Sequence, residues 1–261
     1  MDHEVSRDGT RIAYEVSGQG PAILLVPGAT ADHTTWLTVA PLFARDFTVL
    51  AMDRRGYGES GDAPAYAIER EFEDVTAVVE AVGEPVDVVG HSFGGLCALE
   101  ASWRTPHIRR LVLYEPATGA DTAALDRLAP IETLLAAGER EAALISFYRD
   151  MVGLSPDEVE YARSQPAWSR RVEAAPTVVR EMRALVGYAF DRDRLKAVTV
   201  PTLLLEGEHA PDWARASIEV VRGALPQSER VTIPGQGHAA QRMAPELFHR
   251  EVAGFLSSQN K

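Results

Sequence analysis

The sequence predicts an α/β protein: a mainly parallel sheet of eight strands flanked by helices, with a helical segment inserted late in the strand order. Two observations support this prediction. Short apolar runs of strand length alternate with longer amphipathic runs over most of the 261 residues, which is typical of repeated β–α units. The alternation stops near residue 119 and resumes near residue 193, and the interval shows helical periodicity. We therefore expect a core domain formed by residues 1–118 and 193–261, with residues 119–192 as a helical cap.

The first part of the chain supplies six of the predicted strands. Residues 2–6 and 11–17 are expected to form a hairpin, because the Asp8-Gly9 pair between them favours a tight turn. Residues 22–26 are a continuous apolar run, which is typical of a strand buried on both faces of a parallel sheet. The remaining strands of this part are predicted at residues 47–52, 85–89 and 108–114.

Three helices are predicted between these strands. Residues 68–82 carry apolar side chains on one face at helical spacing, as expected of a helix that packs on a sheet. The other two helices are predicted at residues 33–44 and 96–103.

The inserted segment and the C-terminal part complete the predicted order. Helical periodicity covers residues 123–137, 140–151, 156–164 and 177–188. The aromatic side chains of this segment are expected to line or pack over a pocket: Phe147, Tyr148, Tyr161, Trp168, Tyr188 and Phe190. After it, strands are predicted at residues 201–206 and 230–233, and helices at residues 213–225 and 245–256.

The composition restricts the functional classes. The net charge is −12, which argues against a nucleic-acid partner and against an anionic membrane surface, although a pocket can differ from the surface. The one cysteine, Cys97, excludes an internal disulfide and a cysteine-based metal site. No apolar run reaches the length of a membrane span, and the charged start of the chain lacks a secretory pattern. We expect a cytoplasmic monomer or homodimer that acts on a small molecule.

The sequence GHSFG, at residues 90–94, has the form of a nucleophile elbow. It follows an apolar strand and precedes an Ala- and Leu-rich helix, which is the context that this motif requires. The elbow is a sharp turn that leaves no room for side chains beside the serine, which explains Gly90 and Gly94. The pattern predicts Ser92 as a nucleophile.

Motifs along almost the whole chain resemble those of the α/β-hydrolase fold superfamily. They are Gly-Ala at residues 28–29, Asp-x-Arg-Gly-x-Gly-x-Ser at 53–60, the elbow at 90–94, PTLLLEG at 201–207 and Gly-x-Gly-His at 235–238. Each is weak alone, but they occur in the right order and at the right strand ends. The resemblance implies a serine hydrolase with an Asp or Glu and a His that follow the serine in the chain.

His238 is the predicted base. A serine hydroxyl needs an adjacent base to react at neutral pH, and His238 follows the last strand in a glycine-rich loop. Its position after the serine agrees with the order that the resemblance implies. His33 is a second candidate to face the pocket, whereas His91 is expected to point away from it.

The acid departs from the superfamily pattern. After the strand at 201–206 that pattern places an aspartate where this chain has Ala210. We predict Glu115 instead, at the end of the neighbouring strand, because some members of the superfamily are similar in placing their acid there. Glu208, Asp212 and no acid at all remain open alternatives.

The oxyanion hole is expected from two backbone amides. By resemblance these belong to Phe93, directly after the serine, and to Ala29, after the strand at 22–26. Residues 53–55 (DRR) are interpreted as an ionic clamp beneath the active-site loops. Gly56 and Gly58 lack the spacing of a dinucleotide loop, and no metal-ligand spacing is seen.

Together these features predict a cofactor-independent serine hydrolase of a small or medium apolar carboxylic ester, lactone or thioester. Relatives that resemble this fold but cleave epoxides or carbon–halogen bonds carry an aspartate at the elbow, so Ser92 disfavours those activities. A C–C bond hydrolase is a further variant within the same scaffold. The alternative is a non-hydrolytic homologue, a lyase, cyclase or ligand-binding protein that uses the same pocket.

Overall fold

An eight-stranded sheet organises the protein, seen in a computed structural model that describes residues 1–119, 122–189 and 191–258. The strand order is β1-β2-β4-β3-β5-β6-β7-β8, and all pairs are parallel except those made by β2 with β1 and with β4. The strands are β1 (Asp2–Val5), β2 (Arg11–Ser17), β3 (Ala22–Val26), β4 (Thr48–Met52), β5 (Val86–His91), β6 (Ile108–Tyr114), β7 (Thr202–Gly207) and β8 (Glu229–Ile233). The predicted fold class is confirmed.

The helices cover both faces of the sheet. They are α1 (Ala40–Phe43), α2 (Ile68–Val82), α3 (Phe93–Ala101), α4 (Ala123–Ala136), α5 (Arg140–Ser146), α6 (Pro156–Ser164), α7 (Trp168–Glu173), α8 (Thr177–Gly187), α9 (Arg192–Leu195), α10 (Asp212–Ala224), α11 (Ala240–Met243) and α12 (Pro245–Ser257). A 3₁₀ helix covers His33–Trp36 and a π-helical turn covers Phe147–Val152.

The apolar core lies in two layers because side chains alternate between the faces of each strand. Leu24 and Val88 pack with α2, α3 and the helices that follow β6, whereas Ile23 and Val89 pack with α1 and α12. Every residue of β3 is buried, as its continuous apolar run predicted, and every residue of β5 is buried as well, Asp87 included. Cys97 is a fully buried member of the first layer. At the centre of the sheet, β3, β5 and β6 are therefore buried up to the residues where they end.

The prediction of one continuous helix over residues 33–44 is wrong. The chain forms the 3₁₀ turn, capped by the Asp32 carboxylate, and then the separate short helix α1. Pro41 explains the break, since it has no amide hydrogen to donate to the carbonyl of Leu37 in a continuous helix. This irregular path lets residues 28–36 lie across the end of β3.

The segment between β6 and β7 is helical, and its described residues contain no strand. Helix α6 begins with a reciprocal capping box, in which Ser155 and Glu158 each bind the other's backbone amide. Helices α7 and α9 were not predicted; both are short. Phe190 lies outside the described residues. Within the described part of the chain, no helix has the length and apolar character needed to cross a membrane.

Candidate active site

Ser92 lies at the sharp turn between β5 and α3. Its φ of 54° and ψ of −122° are strained for a residue with a side chain. The two glycines of the motif make the turn sterically feasible. A Cβ on Gly94 would lie 2.3 Å from the carbonyl oxygen of Pro27, and one on Gly90 would lie 2.6 Å from that of Gly94. The elbow thus holds the serine side chain up from the sheet edge.

Backbone strain is concentrated around this turn. Among the described residues, Thr30, Ser92 and Glu115 are the non-glycine residues with positive φ, at 63°, 54° and 45°. They follow the neighbouring strands β3, β5 and β6, so all three lie at one edge of the sheet. Such conformations cost about 1–3 kcal/mol each and persist where the surrounding structure imposes them. Their grouping makes this edge the candidate functional site.

The structure brings His238 and Glu115 together. The Nδ1 atom of His238 lies 2.5 Å from Oε2 of Glu115, and both side chains are buried. The other carboxylate oxygen accepts the backbone amide of Gly207 at 2.8 Å. Because a carboxylate can only accept a hydrogen bond, Nδ1 of His238 carries the ring proton and Nε2 is the unprotonated ring nitrogen. His238 and Ser92 line the same cavity.

The other predicted acids lie away from this pair. Glu208 is exposed and accepts the amide of Gly235 at 2.7 Å, and Asp212 is exposed in the first turn of α10. Three residues after Ala210, which replaces the aspartate of the superfamily pattern, the Trp213 ring packs edge-on against His238, with ring centroids 5.1 Å apart. Of the alternatives left open by the sequence, the geometry brings only Glu115 to the histidine.

Two aromatic side chains anchor the loop that carries His238. The Tyr114 hydroxyl donates to the carbonyl oxygen of Gly237 and accepts the amide of Ala240 at 3.1 Å. The Nε2 atom of His91 donates to the carbonyl oxygen of His238 at 2.9 Å. Burial, with the nearby His238 second, holds the pKa of His91 well below its ordinary value, so His91 is neutral. The sequence did not reveal this anchoring role of His91.

His33, in the loop after β3, is hydrogen-bonded to Asp53. Its Nδ1 atom and its amide each lie 2.7 Å from Oδ1 of Asp53. Asp32, His33 and Asp53 bring ligand-type atoms within 4.8 Å of one another. However, Asp32 pairs with Arg170 at 3.2 Å and the second Asp53 oxygen accepts the amide of Glu59. These carboxylates therefore already have donors, and His33 is not among the residues that line the main cavity.

Arg54 supports the loop that carries Ala29. Its guanidinium donates to the carbonyl oxygen of Gly28 at 3.2 Å and lies 4.7 Å from the centroid of the Phe93 ring. The fully buried Arg54 also pairs with Glu71 and Glu181. One ionic cluster thereby fixes the two backbone segments whose amides were expected to form the oxyanion hole. The amide of Phe93 opens α3, where it has no intrahelical acceptor.

A cavity of about 550 Å³ lies over Ser92. The sheet edge supplies its floor, with Ala29, Phe93 and His238, and the segment between β6 and β7 supplies much of its wall. The larger apolar side chains of that wall are Phe147, Met151, Val152, Leu154, Met182 and Leu185. Tyr148, Arg171 and Arg242 also line the cavity. No motif in the sequence points to these arginines, because their chain neighbours have the composition of ordinary exposed helices.

The chain is similar to known proteins over almost its full length. A model of the alpha/beta hydrolase family matches residues 23–252. The crystal structure of an alpha/beta hydrolase from Sphaerobacter thermophilus has a TM-score of 0.84 at 33% identity, covering 98% of this chain and 100% of that one. The structure of an esterase from Rhodococcus sp. ECU1013 has a TM-score of 0.82 at 26% identity, covering 99% of each chain.

Curated relatives give a similar result. A putative carbamate hydrolase of Agrobacterium fabrum is 28% identical over 258 residues, which is 93% of this chain and 97% of that protein. An uncharacterized protein of Mycobacterium tuberculosis is 37% identical over 110 residues, so this chain spans only 32% of its length. Of these four matches, three carry a functional name: an alpha/beta hydrolase, an esterase and a putative carbamate hydrolase.

Proposed function

Because the chain belongs to the alpha/beta hydrolase family, we propose that it is a serine hydrolase that cleaves carboxylic esters, lactones or thioesters through an acyl-enzyme. The observation that carries the proposal is the 2.5 Å contact between His238 Nδ1 and Glu115 beside the cavity that Ser92 lines. A hydrogen-bonded His–carboxylate pair is the arrangement that turns a neighbouring serine into a nucleophile. The reaction needs no cofactor.

In the first step, the Ser92 oxygen attacks the carbonyl carbon of the substrate. His238 takes the serine proton on Nε2, the ring atom left free because Nδ1 donates to Glu115. The carboxylate holds this tautomer and stabilises the imidazolium that forms. His238 then gives the proton to the leaving alcohol, so that the acyl group remains bound to Ser92.

The amides of Ala29 and Phe93 are proposed to hold the oxyanion. Removing one such donor costs about 100- to 1000-fold in turnover in serine proteases. Their rigidity matters for the same reason, since preorganised donors need not rearrange as charge develops. Arg54, which binds the Gly28 carbonyl and packs on the Phe93 ring, is a positioning residue in this proposal.

In the second step, water attacks the acyl-enzyme. His238 takes one proton from the water and returns it to the Ser92 oxygen as the carboxylic acid leaves. The segment 119–192 acts as a cap that lines the acyl site, since its described residues form much of the cavity wall. Its apolar side chains favour a small or medium acyl chain.

A fluorophosphonate probe tests the proposed nucleophile, since it phosphonylates activated serines. We expect rapid labelling of the wild type and none of Ser92→Ala. Ser217→Ala is a matched control, because Ser217 is a second serine that lines the same cavity; this variant should label like the wild type. Failure of the folded wild type to react would refute the serine mechanism and favour the non-hydrolytic alternative.

A further inference from the structure

Four arginines line the cavity over Ser92, and two of them, Arg171 and Arg242, repel each other electrostatically. Arg171 belongs to α7 and Arg242 to α11, and both also line a second cleft of about 370 Å³. Arg171 is only 6% exposed. The pair therefore separates the cavity over Ser92 from the neighbouring cleft and presents positive charge inside an acidic protein of net charge −12.

Neither guanidinium has a carboxylate within 4.0 Å among the residues that the structure describes. The Nε and Nη1 atoms of Arg242 are buried and have no hydrogen-bond partner in the described part of the chain, and Arg171 donates through Nη1 to the Tyr148 hydroxyl at 3.1 Å. The buried Arg54 and Arg55 differ, because each of them binds two carboxylates. Buried charged groups in proteins are ordinarily paired, so the buried Arg171 and the two buried nitrogen atoms of Arg242 need another explanation.

The two charges act on each other and on Tyr148. Burial, and then repulsion by Arg171, lowers the pKa of Arg242 to about 10. Burial raises the pKa of Tyr148, but the charges of Arg171 and Arg242, together with the hydrogen bonds from Thr30 and Arg171, hold it below the ordinary value. Glu158 attracts Arg242 more weakly, and its carboxylate is bound to the amide of Ser155. An anion bound between the arginines would relieve this repulsion and satisfy the open donors.

Hydrogen bonds connect this positive site to the reaction centre. Oγ1 of Thr30 lies 2.8 Å from the Tyr148 hydroxyl, which accepts from Arg171. Thr30 directly follows Ala29, whose amide is a proposed oxyanion donor. Arg171 is therefore two hydrogen bonds away from Thr30, the residue beside the proposed oxyanion donor. A ligand within one cavity can reach both places.

We propose that the substrate carries a carboxylate, which binds Arg171 and Arg242 while Ser92 attacks the ester carbonyl of the same molecule. This inference rests on the proposed hydrolase function and narrows it to half-esters of dicarboxylic acids or to lactones that bear a carboxylate. The sequence led us to expect an apolar substrate, whereas the substrate proposed here carries one charged group. The apolar wall formed by residues such as Phe147 and Met182 faces the carbon chain.

Matched substrates test this proposal. Mono-4-nitrophenyl succinate, glutarate and adipate carry a free carboxylate, and their methyl esters have the same chain without the charge. We expect the wild type to favour the charged member of at least one pair by tenfold or more in kcat/KM. Both Arg171→Gln and Arg242→Gln should bring that ratio near one, chiefly through KM. Arg183→Gln removes an exposed positive charge that pairs with Glu132 outside the cavity, and should keep the ratio.

A binding measurement separates this proposal from the hydrolase proposal. Calorimetry with Ser92→Ala should detect glutarate, and adding Arg242→Gln should weaken the binding at least tenfold. If fluorophosphonate does not label the folded wild type but glutarate binds in this way, the carboxylate site is supported and the hydrolase function is refuted. If the wild type hydrolyses the neutral esters and the ratio of kcat/KM for the charged ester to that for the neutral ester is near one in all three pairs, only the carboxylate site is refuted. Tighter binding of inorganic phosphate than of glutarate would also overturn it.

Discussion

Glu115→Gln is the most direct perturbation of the proposed catalytic centre. Glutamine keeps the size of the side chain but has only one accepting oxygen, whereas Glu115 accepts from two donors, His238 Nδ1 and the amide of Gly207. In one orientation the new NH2 group faces the histidine, and in the other it faces the Gly207 amide. Facing the Gly207 amide, the NH2 group places a buried donor against a donor, which costs about 1–3 kcal/mol of folding stability; facing the histidine, it avoids this only if the imidazole changes tautomer.

The expected loss of activity is much larger than the loss of stability. If the NH2 group faces the imidazole, His238 must accept on Nδ1 and carry its proton on Nε2, where it cannot take the Ser92 proton. The corresponding tautomer change in a serine protease lowers turnover about ten-thousandfold. We expect a fall of about a thousand- to ten-thousandfold in kcat, equivalent to about 4–5.5 kcal/mol at 1.36 kcal/mol per factor of ten.

Steady-state hydrolysis of 4-nitrophenyl butanoate, with fluorophosphonate labelling in parallel, measures this effect. Asp212→Asn is the matched control, since Asp212 is an exposed carboxylate that follows the strand where the superfamily usually carries its acid. It should retain activity within about threefold, a change of under 1 kcal/mol. A Glu115→Gln protein that folds and keeps more than a tenth of the wild-type kcat would refute the assignment, as would a hundredfold loss in Asp212→Asn.

Two further predictions concern stability. Burial holds the pKa of His91 well below 6.5, so below that pH the unfolded chain binds a proton at His91 and the folded chain does not. As the pH falls from 6.5 to 5, the free energy of unfolding in urea should therefore decrease in the wild type by up to about 1.4 kcal/mol per pH unit more than in His91→Gln. Equal slopes would contradict this. Gly94→Ala places a methyl group 2.3 Å from the Pro27 carbonyl oxygen and should lower the free energy of unfolding by about 3 kcal/mol or more; a loss below 1 kcal/mol in the same assay would show that the elbow has more room.

The fold could be predicted from the sequence because its central strands are unambiguous. β3 is short and wholly apolar, and β5 is short and rich in valine. Helix α2 was predicted with the bounds that the structure has, Ile68–Val82, because one of its faces is apolar. Prediction failed where a few residues decide the path. Pro41 divides the helix expected over residues 33–44, and the short helix α7 has too few turns for its periodicity to be visible.

The site could be predicted only where its residues stand at strand ends. Ser92, Glu115 and His238 each follow a strand, so the order of the sheet brings them to one edge. Arg171 and Arg242 come from α7 and α11, and which side of a short helix faces a cavity depends on tertiary packing. His91 was expected to point away from the pocket, yet it lines the cavity while its Nε2 atom holds the His238 loop.

The position of the acid follows from the geometry of neighbouring strands. β6 lies beside β7, with Tyr114 opposite Leu205, so a side chain after β6 and one after β7 can approach the same histidine loop. Glu115 exploits this: one oxygen binds the amide of Gly207, at the end of β7, and the other binds His238. The position after β7 is then free to hold the small Ala210, and the nearby Trp213 ring packs on the imidazole. What the chemistry requires is a carboxylate fixed at Nδ1, and either strand end can supply it.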